Sequence, residues 1–405
     1  MHQGPSRAKQ DVAWQQAAAL YRTGDLAGAE ALATARIQQA PGHFGALHML
    51  GMIALRTGRT DRSVALLGQA AQQAPTVAWA HLHLARALFA AGLYAEAIDS
   101  CEAGIALDPD NAAARQTLTT AKLYQAFTLT YVRSHGHAPN IAAPETFNEH
   151  ILHRIIHDRD PRLKIICDKL AVRDFIASRV GEEFLTPIIG AWEQPEQIPW
   201  DELPDQFALK SSHGSGQCLL VRDKADFDRE AFVETARGWL AQDYGNSKGE
   251  WAYVGLPRRL IVEPIQQAPD GGDLLELQVF TFNGRAALIL ILTGVKAPGQ
   301  RRGAWFTAEG RRLALRTITV TPADLRLSDD QRRTIVATAE RVAGDFSSMR
   351  VDYYLTREGF KIGELTPYTQ GGRSVWDPPE RDAQLGRLWR GDFDLSFLPD
   401  YVGSS

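Results

Sequence analysis

The chain has 405 residues, 44% of them apolar, which is enough for two or three domains that each bury a core without disulfide or metal support. Its formal charge of −4 divides into +2 over residues 1–140 and −6 over the rest, leaving no broad basic face and excluding nucleic acid as a partner class. Three scattered cysteines, Cys101, Cys167 and Cys218, fit packing positions in a reducing compartment. The longest apolar run, Ala286 to Leu292, falls far short of the roughly 20 residues of a membrane-spanning helix, so no span is expected and the location reads as cytoplasmic.

The N-terminal part carries an internal repeat. Gly24, Gly58 and Gly92 are spaced by 34 residues, as are Pro41, Pro75 and Pro109. The small residues Ala17, Gly51 and Ala85 keep that spacing, and so do Ala29, Ser63 and Ala97, as stacked helices require where they approach closely. Three helix pairs are predicted. The first helix of each ends at the glycine, whose backbone accepts a left-handed turn, and the second stops before the proline. Period, small positions and terminal prolines resemble tetratricopeptide (TPR) repeats, although aromatic positions are sparse. A further helix from Asn111 to about His135, with Leu118, Leu123, Phe127 and Tyr131 apolar, would cap the stack, giving an all-α solenoid over residues 9–134. His135 to Pro144 reads as a linker.

Beyond it the texture becomes mixed. Residues 161–180 are predicted helical, with Leu163, Ile166, Leu170, Val172, Phe175 and Ile176 as the apolar stripe. Strands are predicted at Phe207 to Leu209, Leu219 to Val221, Leu260 to Val262, Leu275 to Phe282, Ala286 to Leu292, Val351 to Leu355 and Phe360 to Ile362, with helices at 226–242 and 329–345. Asn283-Gly284 between two apolar runs signals a hairpin. The class is α+β with an antiparallel sheet.

Several residues here suit phosphate and metal chemistry. In Phe207-Ala-Leu-Lys210-Ser-Ser-His213-Gly214-Ser215-Gly216 a strand delivers a lysine and then a small loop whose backbone N–H groups can turn toward an anion. A plain hairpin is the alternative, and the segment lacks the Walker pattern. Asp352 and Glu364 sit on two strands joined through Arg357 to Gly359, where a hairpin can place both on one face as hard ligands for Mg²⁺; an ordinary surface pair is the alternative. Cys167-Asp168-Lys169 is expected near the middle of a helix ending before Gly181, with a solvated lysine as the plainer reading. Glu263, at a strand end, and Glu276 are suited to ribose hydroxyls or an adenine amino group.

The order of these features resembles the ATP-grasp fold over residues 160 to 375, and within it the TupA-like family, named for teichuronopeptide biosynthesis. The resemblance rests on Phe147-Asn148-Glu149, Asp158-Arg-Asp-Pro161, Asp168-Lys169, Leu209 to Gly216, Gly249-Glu-Trp251, Phe282-Asn-Gly284, Arg350-Val-Asp352 and Gly363-Glu-Leu-Thr366. It implies an ATP-grasp domain over residues 145–395, with ATP and Mg²⁺ as cofactors. Lys169 and Lys210 would contact nucleotide phosphates under the loop 213–216. Glu263 would hold adenine at the hinge and Glu276 would face the ribose. Asp352 and Glu364 would hold Mg²⁺, with Thr366 where most ATP-grasp enzymes carry asparagine. Arg350 would approach the transferring phosphate, although it is read as facing away from Asp352 in a regular pleat and so as needing a local twist. Gln278 stands where family members often carry lysine. The helices from 145 to 180 are too short for a full N-terminal substrate domain.

The implied chemistry is attack of a carboxylate on the γ-phosphate of ATP, giving an acylphosphate that an amine converts to an amide. Charge placement dominates such catalysis. His213 is read as hydrogen-bonded within its loop rather than as a general base. For a substrate carboxylate Arg373 is the preferred fork, and Arg301 and Arg302 are read as solvated. The family name implies cell-surface polymer assembly from a uronic acid and an amino acid, with peptide natural-product synthesis equally compatible. A small-molecule kinase is the second reading. A third is an adaptor whose repeat arm holds a protein partner beside a silent nucleotide-binding domain.

Overall fold

Three helix pairs open the chain: α1 (Arg7–Thr23) with α2 (Leu26–Gln39), α3 (Phe44–Arg56) with α4 (Thr60–Gln73), and α5 (Ala78–Ala90) with α6 (Tyr94–Leu107). They come from a computed structural model that describes residues 7–295 and 300–401. Gly24, Gly58 and Gly92 end the first helices at φ of 90°, 72° and 76°, with nothing within 4 Å of an added Cβ, so these glycines serve the backbone turn alone. Gly51 has the opposite reason. A Cβ there would lie 2.6 Å from Leu67 Cγ, and the Ser63 hydroxyl donates to the Gly51 carbonyl at 2.8 Å, so the two small positions are one close helix crossing. Ala17, Ala29, Ala85 and Ala97 are fully buried at the matching places.

α7 (Ala112–His135) follows, and the chain divides between Thr130 and Tyr131 into two compact units. In the first unit α7 buries Ala114, Ala121 and Tyr124, while the expected Leu118, Leu123 and Phe127 are only half-buried. Close approach is the reason. Ala121 packs with Leu88 and Ala97, and the Tyr124 ring meets Phe89 edge-on at 4.7 Å.

The segment expected as a linker belongs to the second unit. Ile141 is buried, and the Glu149 carboxylate accepts the N–H groups of Asn140 at 2.6 Å and of Glu145 and Thr146 at 3.0 Å. One buried acid thus fixes the chain before α8 (Phe147–His157), where Thr146 and Glu149 also form a capping box. The expected single helix over 161–180 is two, α9 (Arg162–Cys167) and α10 (Ala171–Val180). Asp168 makes the break, because its Oδ1 accepts the N–H of Leu170 at 2.9 Å and of Ala171 at 3.3 Å in place of a continuing helical ladder.

Two sheets follow, antiparallel apart from one short parallel edge pairing in the second. β1 (Gly190–Trp192), β2 (Phe207–Ser211) and β3 (Cys218–Val221), then α11 (Arg229–Ala241), α12 (Tyr244–Lys248) and β4 (Leu260–Pro264), build a four-stranded sheet in the order β1-β4-β2-β3. α11 covers it through Phe232 and Ala236, which join Phe207, Leu209, Leu260 and Val262 in one core. The second sheet uses β5 (Leu275–Phe282), β6 (Arg285–Thr293) and β7 (Arg302–Thr307), then β8 (Arg312–Leu313); beyond the short β9 (Arg316–Thr317) it adds β10 (Thr321–Pro322). After α13 (Asp329–Ala343) come β11 (Ser348–Thr356) and β12 (Gly359–Thr366), giving the order β10-β7-β6-β5-β11-β12 with β8 on β7. β13 (Trp376–Asp377) pairs β9, and α14 (Arg381–Gly386) ends the helices. The β5–β6 turn is the two-residue hairpin its sequence signals, with Asn283 and Gly284 both at positive φ. No helix among the described residues is long and apolar enough to cross a membrane.

Candidate active site

The acidic pair is set by strand register. Asp352 of β11 stands directly opposite Glu364 of β12 on one side and Gln278 of β5 on the other, so the three form a row across the sheet. Register shifts at Asp352/Tyr353 because Gly363 is an extra residue in β12, and this bulge is what brings Glu364 rather than Gly363 opposite Asp352. Glycine is required there, since a Cβ would lie 2.5 Å from the Tyr354 ring.

Arg350 corrects the expectation of opposite faces. Side chains alternate with period two along a strand, so positions 350 and 352 share a face and no twist is needed. The Arg350 guanidinium grips Asp352 with Nε at 2.7 Å from Oδ1 and Nη2 at 2.6 Å from Oδ2, and Nη2 also donates to the Thr366 hydroxyl at 3.1 Å. Thr366 is therefore tied to Arg350. Asp352 keeps lone pairs beyond these two bonds, and among the described residues the Glu364 carboxylate receives no hydrogen bond or ion pair. Two adjacent carboxylates, one of them without a protein partner, fit a hard divalent cation such as Mg²⁺.

The residues expected to face phosphate come from three separate elements. Lys169 lies in the break between α9 and α10, not mid-helix, where its N–H donates to Ser212 O at 3.0 Å and its ammonium donates to Gly214 O. It shares a small cavity with Glu263 and Glu364, and burial lowers its pKa. Lys210 of β2 pairs with Glu263 of β4 at 2.5 Å; burial opposes its charge, but the Glu263 carboxylate outweighs that and leaves the ammonium more firmly protonated than usual. Glu263 is thus already bonded to a lysine, while Pro264 to Ala268 beyond it line a cleft of about 510 Å³ with Lys210, Glu276 and Tyr354.

The loop joins β2 to β3 as a hairpin closed by the N–H of Ser211 on Gln217 O at 3.1 Å. Among the described residues, none of the backbone N–H groups of His213, Gly214, Ser215 and Gly216 has an acceptor. Successive free donors beside two lysines can accept an anion. His213 is not held within its own loop: its Nε2 meets Trp239 O of α11 at 2.9 Å, its Nδ1 is buried without a partner, and burial holds its pKa below the ordinary value.

A second cavity opens between the strand face and the loop after β12, lined by Arg301, Arg350, Arg373, Gln278, Trp305 and Trp376 among others. Arg301 was expected in solvent. It is half-buried instead, with Nε lacking any partner, because it precedes β7 and turns with that strand's inner face. Arg302 is exposed. Arg373 is exposed too, with Nε donating to Gln370 O at 3.3 Å. Glu250, which carried only a motif and no assigned role, is buried near these groups; the burial pushes its carboxyl up to about 7 against the pull of Arg373 and Lys248.

Two mainly antiparallel sheets, a cleft lined by Lys210 and Glu276, Lys169 sharing a cavity with Glu364, and a late Asp/Glu hairpin define an ATP-grasp domain. Residues 149–390, more than half of the chain, match the family model TupA-like ATPgrasp, and the chain belongs to that family. Residues 48–112 match a tetratricopeptide repeat model. No curated protein matches the chain. Among solved structures it is similar to MamA of AMB-1, at 24% identity over 29% of this chain and 63% of that one, with a TM-score of 0.27. It is also similar to an O-GlcNAc transferase mutant of Thermobaculum terrenum, at 23% identity over 47% and 31% of the two chains, with a TM-score of 0.29. The first TPR of Spaghetti bound to an HSP90 peptide matches at 18% identity over 30% and 95%, with a TM-score of 0.28.

Proposed function

We propose that the chain is an ATP-dependent ligase that joins a carboxylate to an amine through an acylphosphate. The observation that carries this reading is the arginine-lined cavity abutting the acidic row: Arg350 touches Asp352 and also lines the cavity that holds Arg301 and Arg373. A carboxylate seated there against Arg301 and Arg350 would lie beside the γ-phosphate of a nucleotide held by Lys169, Lys210 and the N–H groups of 213–216. Glu276 and the segment 264–268 would accept the ribose and adenine in the cleft. A divalent cation held by Asp352 and Glu364 would draw negative charge off the phosphates.

The substrate carboxylate oxygen attacks the γ-phosphorus, the bond to the β–γ bridging oxygen breaks, and ADP leaves. Lys169 and Lys210 hold the phosphates, and Arg350 faces the charge that grows on the transferring group. The amine then attacks the activated carbonyl carbon and phosphate leaves. Acid and amine are proposed from the uronic acids and amino acids, as in cell-surface polymer or peptide synthesis, with a protein partner on the TPR arm.

The test is ADP release over a panel of carboxylic acids and amines, with mass spectrometry of the product. An amide supports the ligase. A stable phosphoester with no amine requirement would make the protein a kinase instead, and Mg·ATP binding with no ADP from any pair would favour a silent domain serving the repeat arm.

A further inference from the structure

Gly249-Glu250-Trp251 supplies a charged group that nucleotide and metal binding leave unused. Glu250 is 8% exposed, and among the described residues its carboxylate accepts no hydrogen bond and joins no ion pair. Such a burial is unfavourable unless something polar reaches the group. It is also directed at a charged partner it does not touch. The point where a Cβ on Gly371 would lie is 3.5 Å from Glu250 Oε1 and 3.2 Å from Arg373 Nη2. A carboxylate and a guanidinium thus converge on one spot over a glycine whose φ of 58° and missing side chain keep that spot open.

We propose that Glu250 and Arg373 seat the amine substrate as an amino acid: Glu250 binds its ammonium and takes the proton, while Arg373 holds the carboxylate of the same molecule. The assignment rests on the ligase reading above. The ammonium transfers one proton to a Glu250 oxygen, and the freed nitrogen lone pair attacks the acyl carbon. The carbon–oxygen bond to phosphate then breaks, and the second nitrogen proton leaves with the phosphate. The charged groups facing Glu250 are Arg373, Lys248 of α12 and Glu364 of β12. Tyr244 and Tyr253 beside it stay neutral, since burial raises the first phenol to about 12 and the second well above its ordinary value. Arg373 and Lys248 favour the carboxylate and burial opposes it, so the group exchanges a proton near neutrality, as a general base must.

The experiment separates the two half-reactions. Full-length wild type, Glu250→Gln and Arg373→Gln are assayed with ATP, Mg²⁺ and a panel of uronic and amino acids. Each is run once with hydroxylamine, which traps an acylphosphate without needing a base, and once with glycine or ethylamine as the amine. Glu250→Gln is expected to keep hydroxamate formation within about twofold while amide formation falls by about 10²-fold or more. Wild-type amide formation is expected to rise through about pH 7, and the variant to lack that inflection. Arg373→Gln is expected to lose the preference for glycine over ethylamine. Equal loss of hydroxamate and amide in Glu250→Gln, or full amide formation, overturns the base assignment. Retained glycine preference in Arg373→Gln, or wild type that makes hydroxamate and takes no amino acid, overturns the seat. Absence of hydroxamate in wild type with every acid overturns the ligase reading instead.

Discussion

The repeat unit and the ATP-grasp unit obey different rules of construction. In the first, the contacts join helices one or two apart in sequence, as where Gly51 of α3 receives Leu67 of α4 and the Ser63 hydroxyl returns to the Gly51 carbonyl. In the second, site residues depend on distant ones: Lys169 is tied to Gly214 and Lys210 to Glu263, while strand register sets Asp352 opposite Glu364 and Gln278. A locally built unit tolerates damage as a graded loss of stability. A unit whose site is assembled from six elements fails in function first.

Six substitutions would break or sharpen that contrast. The largest effect is expected at the acidic row. Glu364→Gln removes a carboxylate with no protein partner, so ADP release should fall by about 10³-fold with the melting temperature unchanged. Asp352→Asn should lose as much activity and some stability too, because Arg350 is left buried without its counter-charge. Near-normal turnover in both would remove the metal assignment.

Lys210→Met comes next, because it strands Glu263 at 9% side-chain exposure; urea unfolding should show a loss of about 3–5 kcal/mol, along with weaker ATP binding. A loss below 1 kcal/mol, as for a surface pair, would show that this ion pair is not buried in solution.

Glu250→Gln should change stability with pH. A carboxyl whose folded pKa is raised from 4.5 to about 7 stabilises the fold while protonated, fully so below pH 4.5, and that contribution is lost as pH passes 7. Wild type should therefore fall behind the variant across this window by about 3 kcal/mol at most. A constant difference between the two across the window would contradict the raised pKa.

The smallest effects belong to the repeat glycines, and they differ by cause. Gly51→Leu meets Leu67 and should cost about 1–3 kcal/mol, whereas Gly58→Ala meets nothing and should cost about 1 kcal/mol for its positive φ alone. Equal losses in thermal melts would mean that crossing distance is not what selects Gly51.

Legibility follows the same division. The repeat was readable because Gly24, Gly58 and Gly92 act on their own backbone, and a backbone turn is a property of the residue itself. Long apolar strands such as Leu275–Phe282 were readable for the same reason. β1, three residues long, and β7, with its mixed Arg302–Thr307 run, were missed since pairing rather than composition makes them strands. The α9–α10 break was hidden because an Asp inside an apolar stripe shows no sign of folding back on its own chain. Arg301 was misplaced, for burial of an arginine is decided by what lies over it. Glu250 was visible as a motif but had no role to read until Gly371 and Arg373 were brought beside it.

Sequence by itself determined the helical repeats, the late Asp/Glu hairpin and the lysine-bearing loop, because short-range periodicity, turn chemistry and residue type are local quantities. Only the tertiary structure decided that Arg350 also reaches Thr366 on the neighbouring strand, that a one-residue bulge at Gly363 aligns Glu364, and that Glu250 faces Arg373 across an open glycine. Register, burial and charge separation are properties of distant segments brought together, and no window of the sequence contains them.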